Sequence, residues 1–242
     1  MASEHSRTVV LDVALDVSPT LSLSNPEAQI DIKLSVKIAE SMRPGTAITL
    51  LAHQSIFDVD PVNPFMDVFA RGLFTPLRSV KGPYGRSIRL NPLVRVKERL
   101  DQDETDLRKR GVRFFTILGD SSQEAVFNHH LSWERLFKHA SHEALGPNSI
   151  TQRDQLKVGE KFEIRVNEKK PILVSWWCFG DLDTDLKGMK FHFWITDSYG
   201  DGHPPDENSL SEDNWVIGED PEISKLEIRV VPGGNCIVEI IE

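Results

Sequence analysis

The sequence has few of the features that mark disulfide-bonded, secreted or membrane-spanning proteins. It contains two cysteines in 242 residues, Cys178 and Cys236, whereas small secreted domains usually carry several disulfides. Its apolar runs all fall short of the roughly 20 residues that cross a bilayer. The polar N-terminus lacks the continuous apolar core of a secretory signal. We therefore expect a cytoplasmic protein with two reduced thiols and no contact with a membrane.

Basic residues are also scarce relative to acidic ones, and the formal net charge is −9. Because nucleic-acid affinity depends largely on neutralising phosphates, nucleic acid is not an expected partner. The charge is uneven, since the stretch 71–113 is rich in Lys and Arg and the stretch 197–222 contains neither. The basic stretch could face an anionic partner or the acidic loops of a symmetric neighbour, and the second arrangement would give a homo-oligomer.

Alternating apolar and polar residues predict strands with one buried face. The pattern covers Ala28–Ile38, Leu11–Val17, Phe162–Val166 and Leu226–Val230. Two more apolar segments, 47–57 and 172–179, have the character of central strands that are covered on both faces. Turn residues recur between these segments, which is typical of an antiparallel sandwich or a barrel.

Two local signals concern a helix and a hairpin. Ser132 is a predicted N-cap, followed by an apolar stripe with basic residues toward the C-terminus and a stop at Gly146 and Pro147. Turn residues at 232–235 separate two apolar runs and predict a C-terminal hairpin. We interpret residues 1–242 as a single elaborated domain. The alternative is two sandwich halves, 1–118 and 148–242, joined by a helical segment.

Three segments carry a resemblance to a known group of proteins. L-K-V-G-E-K-F-E-I-R-V at 156–166, L-S-L-S-N-P-E at 21–27 and S-W-W at 175–177 resemble uncharacterised immunoglobulin-like β-sandwich proteins of filamentous fungi. The resemblance implies a mainly β, antiparallel immunoglobulin-like sandwich with long loops and one short helix. Phe162 stands where such corners carry a tyrosine, so the usual hydroxyl hydrogen bond cannot form. The resemblance implies no activity.

Motifs for common cofactors and metals are incomplete. Nucleotide-binding fingerprints are absent from the sequence. Gly119–Ser121 imitates an esterase nucleophile turn without its surrounding α/β pattern, and the acidic runs at 181–185 and 197–202 lack the glycine or glutamate of a calcium loop. His139 and His142 share a helix face without a third ligand at a recognised spacing. The sequence therefore predicts neither a cofactor nor a metal site.

An aromatic cluster supplies the candidate site. A strand over 189–195 would place His192 and Trp194 on one face, and successive tryptophans at 176 and 177 point to opposite faces. The predicted ligand-binding residues are Trp176, Trp177 and Trp194, and the candidate catalytic residues are His192, Asp181 and Asp183. Aromatic walls with few polar groups are typical of small-molecule pockets, although tryptophans also fill sandwich cores.

Two functions remain. The favoured one is a non-catalytic binding or interaction module that engages a protein partner or an apolar small molecule. The alternative is a cofactor-independent isomerase, cyclase or hydrolase of fungal specialised metabolism, with His192 as acid or base in an aromatic-lined pocket.

Overall fold

The computed structural model describes residues 7–59, 61, 67–80, 85–90, 104, 106–120, 122–138, 148–167, 174, 176–192, 214–220 and 223–242. These residues form a mainly β structure, as the alternating patterns predict, with one short α-helix and one 3-10 turn at Arg153–Gln155. None of the helices formed by these ranges has the length and apolarity to span a membrane.

The strands of the described residues run in chain order as follows: β1 (Arg7–Val17), β2 (Thr20–Ser22), β3 (Gln29–Glu40), β4 (Ile48–Leu51), β5 (Leu77–Ser79), β6 (Ser87–Ile88), β7 (Phe114–Ile117), β8 (Ala125–Ser132), β9 (Lys161–Glu163), β10 (Trp177–Phe179), β11 (Lys190–Phe191), β12 (Trp215–Val216), β13 (Ser224–Val231) and β14 (Ile237–Ile241). The helix α1 (Trp133–Phe137) follows β8 directly.

The first sheet has the strand order β13-β1-β3-β8. Its longest strand, β3, buries every second side chain, including Ile30, Ile32 and Leu34, and so confirms the predicted alternation. On the opposite face, acidic and basic residues lie across from one another, with Asp16 of β1 paired in register with Lys33 of β3. Opposite charges in this position stabilise a solvated sheet face.

The second sheet has the order β2-β14-β9-β5-β6. Its inward side chains include Phe162 of β9 and Val238 and Ile240 of β14, all of which are buried. They belong to the same hydrophobic cluster as the apolar side of the first sheet. The main core therefore receives side chains from both sheets.

A smaller part of the molecule has its own core. The sheet β10-β4-β7 and the strand pair β11-β12 contribute to a second cluster of buried residues. The members of that cluster are Leu51, Leu107, Val112, Trp176, Cys178, Leu186 and Phe191.

The expected antiparallel pairing is present in seven strand pairs of the described residues, but three pairs are parallel. β1 pairs in parallel with β13, β2 with β14, and β11 with β12. The predicted C-terminal hairpin is also wrong, because β13 and β14 lie in different sheets. β1 and β13 are neighbours in the first sheet, and the chain continues from them into β2 and β14, which are neighbours in the second sheet. Both pairs are therefore parallel.

The corner between β13 and β14 explains why no hairpin forms. The backbone N–H of Asn235 donates to the Asp16 carboxylate (2.7 Å), and its side-chain amide donates to the Val17 carbonyl (3.0 Å). Gly234 passes so close to Asp16 that a Cβ at this position would lie 2.2 Å from the carboxylate oxygen. The turn residues therefore bind the end of β1 and direct β14 into the second sheet.

The helix prediction is confirmed at its N-terminus. The backbone N–H of Arg135 donates to the Ser132 hydroxyl (3.3 Å), as expected of an N-cap. The helix ends at Phe137, and residues 139–147, which include the predicted stop, lie outside the described residues. Strands that precede residue 118 in the sequence pair with strands that follow residue 148, in the first sheet and in the second. The single-domain interpretation stays a prediction.

Candidate functional site

The two adjacent tryptophans point to opposite sides of the chain, as their alternation predicts. Trp177 is 5% exposed, belongs to the main core and lies edge-on to Phe179, with ring centroids 5.4 Å apart. Trp176 is 3% exposed and belongs to the second core, where it stacks on Phe191 at 5.0 Å. The pair therefore does not form one wall.

The indole of Trp176 is held by backbone atoms. Its N–H donates to the carbonyl oxygens of His192 (2.7 Å) and Ile217 (3.0 Å), which follow β11 and β12 respectively. Gly218 packs against the ring, and a Cβ there would lie 2.7 Å from the indole nitrogen. A buried indole with a satisfied N–H connects these two strands to the second core.

His192 lies on the opposite side of its strand from the buried Phe191. Its ring is 6.0 Å from that of Trp215, and the Lys190 ammonium is 5.2 Å from the same Trp215 ring. Lys190 and His192 therefore both lie against the Trp215 ring. Trp194, the third predicted ligand-binding residue, lies outside the described residues.

Asp181 caps a turn. Its carboxylate accepts hydrogen bonds from the backbone N–H groups of Asp183 (2.9 Å) and Thr184 (3.0 Å) and from the Thr184 hydroxyl (3.0 Å). Desolvation acts to raise the pKa of Asp181, but these hydrogen bonds outweigh it and hold the pKa below its ordinary value. The carboxylate is thus ionised and engaged within its own loop. Asp183 is exposed beside it.

A buried polar cluster, which no sequence pattern indicates, follows β4. The Asp58 carboxylate lies 4.0 Å from His53 Nδ1 and 3.5 Å from the Arg113 guanidinium, and it accepts the backbone N–H of Gln54 (3.1 Å). Gln54 has a φ of 64°, which is uncommon for a residue other than glycine. Desolvation raises the pKa of Asp58 above its ordinary value. Because His53 and Asp58 are both buried, this cluster fastens the loop.

The adjacent histidines of β8 have different surroundings. His129 is buried, lies edge-on to Phe69 and Phe74, and its Nε2 is 2.9 Å from the Ile56 carbonyl oxygen. His130 points the other way and lies 2.7 Å from the Asp31 carboxylate. Strand alternation explains the difference, and the buried histidine anchors the loop that contains Ile56.

An open cleft of about 590 Å³ lies on the outer side of the second sheet. Its floor is formed where two segments that are distant in sequence pair with each other. Arg78 is in register with Glu163, Phe74 bridges to Val166, and the Thr75 N–H donates to the Arg165 carbonyl (2.8 Å). The lining residues are Thr75, Pro76, Arg78, Glu163, Arg165, Val166 and Asn167.

The charges in this cleft are unbalanced. The Arg165 guanidinium lies 2.6 Å from the Glu163 carboxylate. Within the described residues, Arg78 forms no ion pair, and its side chain is exposed. The seven lining residues therefore carry two guanidinium groups and one carboxylate, an excess of one positive charge on a chain whose net charge is −9.

No family model matches this chain, and no curated protein matches its sequence.

Proposed function

We propose that this protein is a non-catalytic interaction module with an immunoglobulin-like sandwich fold, and that its cleft engages an acidic segment of a protein partner. The observation that carries the proposal is the exposed Arg78 in the cleft, at a position where β5 pairs with β9. The guanidinium group of an arginine recognises carboxylates with directional, charge-assisted hydrogen bonds.

The strand order supports the immunoglobulin-like part of the proposal. In such sandwiches, strands A, B and E are neighbours in one sheet, and G, F and C are neighbours in the other. Here β1, β3 and β8 have the first arrangement, and β14, β9 and β5 have the second. Phe162 stands at the start of β9, the position of the corner aromatic, after the left-handed Gly159.

The burial of the tryptophans favours a protein partner over an apolar small molecule. Trp176 and Trp177 fill two separate cores. The alternative, a cofactor-independent enzyme with His192 as acid or base, needs a cavity beside Trp177 and Trp194. The cleft on the second sheet is lined by other residues.

Fluorescence anisotropy with a labelled octaglutamate peptide tests the proposal. The probe should bind the wild-type chain and lose affinity as salt is added, because exposed charges are screened. Arg78→Glu should weaken binding at least about tenfold, since a hydrogen bond to a charged group contributes about 1.5–3 kcal/mol.

Lys33→Glu is the matched control, because it makes the same charge change at an exposed position of the first sheet. It should bind octaglutamate like the wild type. Equal affinities for the Arg78→Glu and Lys33→Glu variants, or no binding by the wild type, would contradict the proposed function.

A further inference from the structure

The strand β13 forms one edge of the first sheet. It runs for eight residues in unbroken register with β1, and it contains neither proline nor a bulge. Its inward side chains Leu226, Ile228 and Val230 are only partly buried, whereas those of β3 in the same sheet are covered. Natural edge strands are usually short, bulged or interrupted by proline, because an open edge invites another strand.

The outer side of β13 is unpaired within the described ranges. Its ladder partners all belong to β1. Beyond the turn that Ser224 and Ile223 form with Asp220, no further backbone hydrogen bond of the strand reaches another described segment. An added strand would satisfy these groups and cover the half-exposed apolar side chains.

The outward side chains of β13 alternate in charge: Lys225, Glu227 and Arg229 are all exposed. In an antiparallel pair of identical strands, a register centred on Ile228 places Glu227 of one copy opposite Arg229 of the other, twice. A register centred on Glu227 instead places Glu227 opposite the Glu227 of the other copy, and Lys225 opposite its Arg229. Like charges directly opposite one another are destabilising, so the first register is favoured over the second. A register centred on Leu226 also avoids like charges, but within Ser224–Val231 it pairs only five residues of each strand, whereas the register centred on Ile228 pairs seven.

We propose that this chain forms a symmetric dimer through β13, with Ile228 opposite the partner's Ile228 and Glu227 opposite the partner's Arg229. Such a contact is isologous, as expected of a twofold dimer. It also keeps the apolar side chains of both copies on one face, whereas a shift by a single residue would reverse that face. The dimer would join the first sheets of two molecules into one continuous sheet.

This inference goes beyond the proposed function, since β13 and the cleft lie on different sheets. Binding of an acidic segment and dimerisation can succeed or fail separately.

Sedimentation equilibrium of the full chain across a range of concentrations tests the dimer with charge-reversal variants. Wild-type chains should dimerise. Glu227→Lys and Arg229→Glu should each weaken the dimer at least about tenfold, because each turns two attractive pairs into repulsive ones. An equimolar mixture of the two variants should dimerise again, because both cross-strand pairs are then complementary.

Lys225→Glu is the control on the same strand. In the proposed register Lys225 lies opposite the partner's Val231, so this variant should dimerise like the wild type. Arg229 also binds Asp12 within its own chain (2.7 Å), so circular dichroism should accompany each variant. If Arg229→Glu does not fold, the comparison of Glu227→Lys with Lys225→Glu still decides the question.

A wild-type chain that stays monomeric would overturn the proposal, as would a dimer that Glu227→Lys leaves unchanged. A register centred on Leu226 would pair Lys225 with the partner's Glu227. Equal disruption by Lys225→Glu and Glu227→Lys would indicate that register and contradict the one proposed here.

Discussion

His129 should make the protein less stable as the pH falls from about 7.5 to 4.5, and His129→Gln should remove this part of the pH dependence. The imidazole is 5% exposed and is enclosed by Phe69 and Phe74. Its Nε2 is 2.9 Å from the Ile56 carbonyl oxygen, so in the neutral ring this nitrogen carries the proton and donates it. A second proton would place a charge in an apolar environment.

The sign and size of this pH dependence of stability follow from the pKa of His129. Burial lowers this pKa from 6.5 to about 4, while the unfolded chain keeps the ordinary value. Between these two values the unfolded state binds more protons than the folded state, so stability is complete above about pH 6.5 and is lost as the pH falls toward 4. A difference of about 2.5 pKa units corresponds to about 3 kcal/mol.

Urea denaturation of the wild type and of His129→Gln, repeated across this pH range, measures the effect. Contributions from other groups, such as the buried Asp58, are shared by both proteins and cancel in the difference. The wild type should therefore lose about 2.5 kcal/mol more than His129→Gln between pH 7.5 and 4.5, because the full difference is reached only below pH 4. His130→Gln is the control for the substitution itself, since His130 is exposed on the opposite face, and it should not reproduce the effect of His129→Gln.

Parallel stability curves for the wild type and His129→Gln would refute this reasoning, because His129 would then have the same pKa in both states. The same conclusion would follow if His130→Gln abolished the slope and His129→Gln preserved it.

Three further predictions concern residues of the second core and the glycine that packs on it. Gly218→Ala should lower the free energy of unfolding by about 2 kcal/mol or more, because Gly218 has a φ of +88° and the new Cβ would meet the Trp176 indole. Calorimetry measures this loss, and an unchanged melting temperature would contradict it. Trp176→Phe should cost about 1–3 kcal/mol in urea denaturation, since it removes the indole donor. Burial raises the pKa of Cys178 to about 12, so in a Cys236→Ser background Cys178 should react with a thiol reagent only after unfolding; rapid reaction of the native protein would refute this.

Local periodicity predicted the strands well because it reports burial directly. The alternation over Ala28–Ile38 corresponds to β3, and the Ser132 cap starts the helix where the sequence places it. Local periodicity does not indicate which strand pairs with which. The turn residues at 232–235 have hairpin chemistry, but Asp16 of β1, more than 200 positions earlier, binds Asn235 and turns the chain into another sheet.

The candidate site, too, could be predicted from the sequence only in part. Alternation predicted that Trp176 and Trp177 point apart, but it could not predict that a core lies on each side. The cleft was not visible in the sequence, because Arg78 and Arg165 meet only when β5 pairs with β9. The buried pair His53 and Asp58 was equally hidden, since nothing in the local pattern indicates that both side chains turn inward.

Backbone amide chemical shifts, recorded by NMR while octaglutamate is added to the protein, would test the interaction-module account directly. The amides whose shifts change should lie around Arg78 and Arg165, and the shifts of the His192 and Trp215 amides should stay constant. Shifts centred on His192 and Trp215, with none at Arg78, would contradict it and would place the binding site at the aromatic face instead.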